Sequence, residues 1–129
     1  MKKIALSIFL IVSAIGLFNY SACGIIYYDV AGTWSLTQAT EETSTTLELV
    51  FEGTRKEGIV IWDGYFMGNY TYNDSVLSFS LTYGSNLPLG KVGTETFTGG
   101  FGEENDLSGN FSGTYQDGQA NGTWTAVRL

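Results

Sequence analysis

The sequence predicts an all-β fold, a single antiparallel meander of eight strands closed or nearly closed into a small barrel. Three observations carry that expectation. Beyond Cys23 the apolar residues alternate with polar ones over short runs, as half-buried strands require, and no stretch repeats at about 3.6 residues as a helix would. Two-residue turn signals, Asp63-Gly64, Asn73-Asp74 and Asp117-Gly118, separate several of the runs. Glycine also stands two residues before an aromatic in Gly32-Thr33-Trp34, Gly68-Asn69-Tyr70, Gly109-Asn110-Phe111, Gly113-Thr114-Tyr115 and Gly122-Thr123-Trp124, and again before Phe66. Alternation puts each glycine on the face of its ring, where it leaves room for the ring and lets the sheet bend toward closure.

Taken in order, the strands are expected at 32–38, 45–52, 57–62, 65–72, 75–83, 94–101, 107–115 and 120–129. A two-residue turn at Asp63-Gly64 sets Trp62 against Tyr65, Ile61 against Phe66 and Ile59 against Gly68. With Asn73-Asp74 as the next turn, Tyr70 opposes Leu77 and Gly68 opposes Phe79. Both hairpins then agree on an inner face that contains Ile59, Ile61, Phe66, Tyr70, Tyr72, Leu77, Phe79, Leu81 and Tyr83. The turn at Asp117-Gly118 sets Phe111 against Trp124 and Leu107 against Arg128, while residues 102–106 close the hairpin that brings Phe97 to Phe111.

The same register turns Val60, Trp62, Tyr65 and Met67 outward on adjacent strands. A cluster of that composition on the outer face suits contact with a protein or a membrane. The alternative is that residues 24–31, with Ile25-Ile26-Tyr27-Tyr28, or the Pro88-containing loop from Gly84 to Gly93 fold over it.

Residues 1–22 are a separate matter. Lys2 and Lys3 precede an apolar run from Ile4 to Phe18, shorter than the ~20 residues a membrane span needs and matched to the core of a signal peptide. The run ends at Tyr20-Ser21-Ala22-Cys23-Gly24, which resembles the lipobox of bacterial lipoproteins, although Tyr20 stands where an aliphatic residue is usual. The resemblance implies cleavage before Cys23, lipid on that cysteine and a tether over residues 23–31, followed by a barrel domain over 32–129. An ordinary secretory signal is the alternative. Gly24, in place of Asp after the cysteine, implies an outer-membrane or cell-surface address in the cell envelope.

Cys23 is the only cysteine, so no disulfide within the chain supports the fold. Without Lys2 and Lys3 the chain carries four basic residues, Arg55, Lys56, Lys91 and Arg128, against 13 acidic ones, which makes nucleic acid a poor partner. Asn69, Asn73, Asn110 and Asn121 begin Asn-x-Ser/Thr triplets, read with this signal as a by-product of a polar β surface.

Eight sequential strands, Gly32-Thr33-Trp34 on the first and Arg128 on the last resemble the lipocalin and avidin-like barrels. That resemblance implies that Trp34 lies at the closed end with Arg128 over it, making the first and last strands neighbours. It raises the prospect of a small ligand without naming one. The inward set, from Trp34 and Phe51 through Phe79, Phe97 and Phe111 to Trp124, holds enough ring volume to fill the interior instead.

No histidine is present, so triad hydrolysis and histidine metal ligation are excluded. Glu41-Glu42 and Glu103-Glu104-Asn105-Asp106 have no calcium-loop spacing and read as solvated turn acids. The expectation is a non-catalytic envelope module without cofactor or metal. It binds a protein partner or a small apolar ligand; the alternative is inhibition of a hydrolase such as a lysozyme or a protease.

Overall fold

The computed structural model describes residues 28–129 and shows eight antiparallel strands that close into a barrel: β1 (Gly32–Ala39), β2 (Ser44–Gly53), β3 (Glu57–Trp62), β4 (Tyr65–Asn73), β5 (Val76–Tyr83), β6 (Gly93–Glu103), β7 (Asp106–Tyr115) and β8 (Gly118–Arg128). Each strand pairs with its sequence neighbours, and β1 completes the circle by pairing with β8. The signal-like segment, Cys23 and the first part of the tether lie outside the described residues.

One end of the barrel, the lower end, holds the 53–57, 73–76 and 103–106 connections, residues 28–31 and the C-terminus. The other, the upper end, holds the 39–44, 62–65, 83–93 and 115–118 connections. Two hairpins turn through residues whose positive φ matches the twist of the strands: Asp63 and Gly64 at 47° and 83°, and Asp74 and Ser75 at 51° and 66°.

The second of these places the turn one residue later than the Asn73-Asp74 reading. Tyr70 consequently pairs with Phe79 and Tyr72 with Leu77, a two-residue slip that leaves every side chain on its expected face. The last hairpin slips likewise, pairing Phe111 with Gly122 and Gly109 with Trp124. Phe97 does meet Phe111.

The β3–β4 hairpin departs more seriously. Trp62 pairs with Tyr65 and Ile61 with Phe66 as expected, but the register shifts below them and Val60, not Ile59, faces Gly68. Met67 is the extra residue of a β-bulge, and one extra residue inverts the facing of everything on its far side. Val60 and Met67 are therefore core residues, at 0% and 1% exposure, and Ile59, Ile61 and Phe66 leave the inner face. Gly68 marks the place: a Cβ there would run into the backbone carbonyl of Ser80.

Rings fill the middle of the barrel. Phe79 stacks on Phe97 at 4.6 Å between centroids, meets Phe51 edge-on at 5.0 Å and Trp124 edge-on at 5.4 Å, and Phe97 continues to Phe111 at 5.5 Å. These are the offset and edge geometries that aromatic quadrupoles favour. The Trp124 indole N–H donates to the carbonyls of Thr98 and Asn110, at 3.3 and 3.2 Å. It crosses a stretch of wall where Gly99 faces Gly109 and a side chain on either would strike backbone.

Candidate functional site

The two ends are closed by different chemistry. At the lower end Trp34 pairs directly with Arg128, whose guanidinium lies 4.3 Å from the indole centroid. Parity puts both side chains inward on neighbouring strands, so closure of the barrel itself makes the contact. The Arg128 fork donates to the carbonyls of Ala31 at 3.0 Å and Asp29 at 2.6 Å, and its Nε donates to Asn105 Oδ1 at 3.1 Å. The Trp34 indole N–H adds a bond to the Val30 carbonyl at 2.8 Å. Residues 29–31 are thus pinned beneath the barrel floor, with Tyr28 against Phe101 at 5.0 Å.

The upper end is built around a carboxylate. Glu95 alternates with Phe97 on β6 and so points inward, where it is 0% exposed. Four donors converge on it: Gln38 Nε2 from β1 at 3.0 Å, the Tyr83 hydroxyl from β5 at 2.6 Å, the Tyr115 hydroxyl from β7, and Lys91 Nζ at 2.9 Å. Gly113 stands opposite Glu95 in the ladder, and its missing side chain lets the Tyr115 phenol fold back across β7.

Lys91 belongs to the 84–92 connection, which also sends Leu87 into the core cluster. Its ammonium sits 4.4 Å from the centre of the Tyr83 ring and 5.6 Å from that of Tyr115. Burial, then the Glu95 charge beside it, pushes the Tyr83 phenol well above its usual range. Burial, then the hydrogen bond to Glu95, does the same to Tyr115. Gln38 is 6% exposed, and its Oε1 has no hydrogen-bond partner among the described residues.

The expected outer-face cluster of Val60, Trp62, Tyr65 and Met67 is not assembled. The bulge sends Val60 and Met67 into the core, and Trp62 is half-buried against it. What remains at the surface is the upper rim. Tyr65 stacks on Trp62 at 5.9 Å and is 38% exposed, and Phe66, expected inside, is 62% exposed. A groove of about 420 Å³ adjoins them, lined by Tyr65, Phe66, Met67, Asn69, Ser80 and Leu87 among others. Glu41 and Glu42 lie on the upper 39–44 connection as expected, whereas at the lower end only Glu104 and Asn105 form the turn, Glu103 ending β6 and Asp106 opening β7.

Glu95, Gln38 and Lys91 were absent from the expected sites. The sequence carries a signal for two of them: Gln38 shares parity with Trp34 and Leu36, and Glu95 with Phe97, so both are polar residues at inward positions. Lys91 lies in a connection, where no parity applies.

Comparison with solved structures returns a redesigned β-barrel, 22% identical over 78% of this chain and 91% of that one, with a TM-score of 0.56. The likeness is one of fold. No protein-family model matches the chain, and no curated protein matches its sequence.

Proposed function

We propose that this chain is a non-catalytic envelope lipoprotein, anchored through lipid on Cys23, whose lipocalin-like barrel presents its upper rim to a protein partner. The observation that carries the reading is the exposure of Phe66 and Tyr65, 62% and 38%, at the end opposite the pinned residues 29–31. An anchor attached through that segment would leave the rim pointing away from the membrane. Large apolar side chains left in water forgo about 1.5 to 3 kcal/mol each, which a partner would recover. A protein suits this better than an apolar molecule inside the barrel, because Phe79, Phe97, Phe111 and Trp124 already pack the interior.

The anchor is tested by mass spectrometry of protein taken from native membranes: acyl chains on Cys23, and release of the Cys23→Ala variant, are expected. The rim is tested by a photo-crosslinking residue at Phe66, with a control at Val76, exposed at the lower end. A discrete adduct from Phe66 that Tyr65→Ser weakens is the expected result. Equal adducts from both positions would overturn the reading.

A further inference from the structure

Lys91 and its surroundings have the composition of a receptor for an ammonium group. Glu95 supplies a fully buried counter-charge, and Tyr83 and Tyr115 turn ring faces to Nζ at 4.4 and 5.6 Å, within the range where a cation is attracted to a ring. Gln38, bonded through Nε2 to the same Glu95 oxygen that Lys91 uses, keeps a buried Oε1 that no described residue satisfies. A buried amide oxygen without a donor is costly, and one amide's width separates it from the nitrogen already in the cluster. A carboxylate, two rings and a spare acceptor thus surround one cation.

The cation itself is held differently from the rest. Gln38, Tyr83, Glu95 and Tyr115 stand on four strands of a closed barrel, whereas Lys91 comes from a connection and its side chain is 27% exposed. Outside it lies a groove of about 340 Å³ whose lining includes Gly84, Ser85, Leu87, Lys91, Val92 and Gln116. The backbone on either side turns through Gly90 at φ +76° and Gly93 at φ +155°, conformations that glycine adopts without strain. The receptor is rigid, and its occupant sits on a separate arm with a way out.

We propose that the upper end of the barrel is a binding site for a primary alkylammonium group, with Glu95 as counter-ion, Tyr83 and Tyr115 as ring walls and Gln38 Oε1 as a second acceptor, and that Lys91 occupies it as a built-in stand-in for the ligand. An incoming ammonium carries three donors, enough to serve both Glu95 and Gln38. The group would come from a small free amine or from a lysine side chain of a peptide. None of these five residues belongs to the Phe66 and Tyr65 rim, although the two adjoining grooves share Leu87, and the site stands or falls separately from the rim.

The test is chemical rescue of Lys91→Ala by n-butylamine, read as the thermal midpoint, with 1-butanol and potassium chloride as controls. A saturable rise of about 4 °C or more with the amine, and not with the controls, is expected. Wild-type protein should show a smaller rise at the same concentration because Lys91 competes, and Phe66→Ser should respond as wild type does. A blocked peptide containing lysine, run beside butylamine, separates the two sources by which gives half the rise at lower concentration. Equal shifts from amine and butanol, or no shift, would overturn the proposal. Should Lys91→Ala not fold, NMR of wild-type protein decides: the ring signals of Tyr83 and Tyr115 must move saturably with butylamine, and their failure to move overturns it.

Discussion

Both ends of the barrel set a cation against aromatic rings, yet they use it to opposite purpose. At the lower end the cation is Arg128, always charged and planar, and its fork spreads over the carbonyls of Ala31 and Asp29 and the amide of Asn105. No carboxylate side chain bonds it among the described contacts, so the joint does not depend on a titrating partner. At the upper end the cation is Lys91, a point charge on a flexible stem, bonded to the buried Glu95 beside two phenols. One end is a staple between chain segments. The other is a chemical site with a removable member.

The largest effect should come from breaking the staple's platform. Trp34 is fully buried beneath Arg128, and Trp34→Ala should cost about 3 to 5 kcal/mol in chemical denaturation, since the ring leaves a cavity and frees the Val30 carbonyl. If it costs under about 1 kcal/mol, the lower end is not the structural one.

The upper end should be the more pH-sensitive one, because it holds two raised phenols, Tyr83 and Tyr115, against Tyr70 alone at the lower end. The Tyr83 pKa is raised on folding while the unfolded phenol ionises near 10, so its contribution is whole below about pH 10 and is lost progressively above it. The slope approaches about 1.4 kcal/mol per pH unit. Denaturation at pH 9 to 11 (about two units) should show that decline, and Tyr83→Phe should reduce its slope, leaving the shares of Tyr115 and Tyr70, whose phenols burial also raises. An unchanged slope in the variant would move the titration elsewhere.

Arg128→Lys sharpens the comparison from below. It keeps the charge over Trp34 and loses the fork, so a cost of about 1 to 2 kcal/mol is expected, with faster amide exchange at Ala31. The smallest effect belongs to the rim: Tyr65→Ser with Phe66→Ser should change stability by no more than about 0.5 kcal/mol, as exposed positions do. A larger loss would mean that the rim is packed.

Strand positions were legible because alternation and turn dipeptides are local signals, and the meander leaves each strand beside its sequence neighbours. Two-residue slips at the second and last turns did no harm, since a slip of two preserves the face. The bulge at Met67 was not legible for the same reason: Gly68 fitted the glycine-before-aromatic pattern as a bending residue, and nothing local distinguishes that from an extra residue in the ladder. One miscounted residue exchanged Val60 and Met67 with Ile59, Ile61 and Phe66. Trp34 and Arg128 were found because parity and closure suffice to bring them together. The Glu95 cluster is not legible because Gln38 and Glu95 stand 57 positions apart and Lys91 lies in a connection without parity, so no local pattern joins them.

The placing of β1 between β2 and β8 has a mechanical consequence. A pull on the backbone at Tyr28, resisted by whatever the rim holds, would run along the axis of β1 and load its hydrogen bonds to both neighbours in parallel. Bonds sheared together must fail together, whereas bonds peeled from an edge fail in turn. Before either ladder is strained, the Arg128 bonds to Asp29 and Ala31 would take up the force. Tension applied between the two ends would thus meet β1 in shear, and forced unfolding of this kind is governed by the barrier to rupture and not by the equilibrium stability.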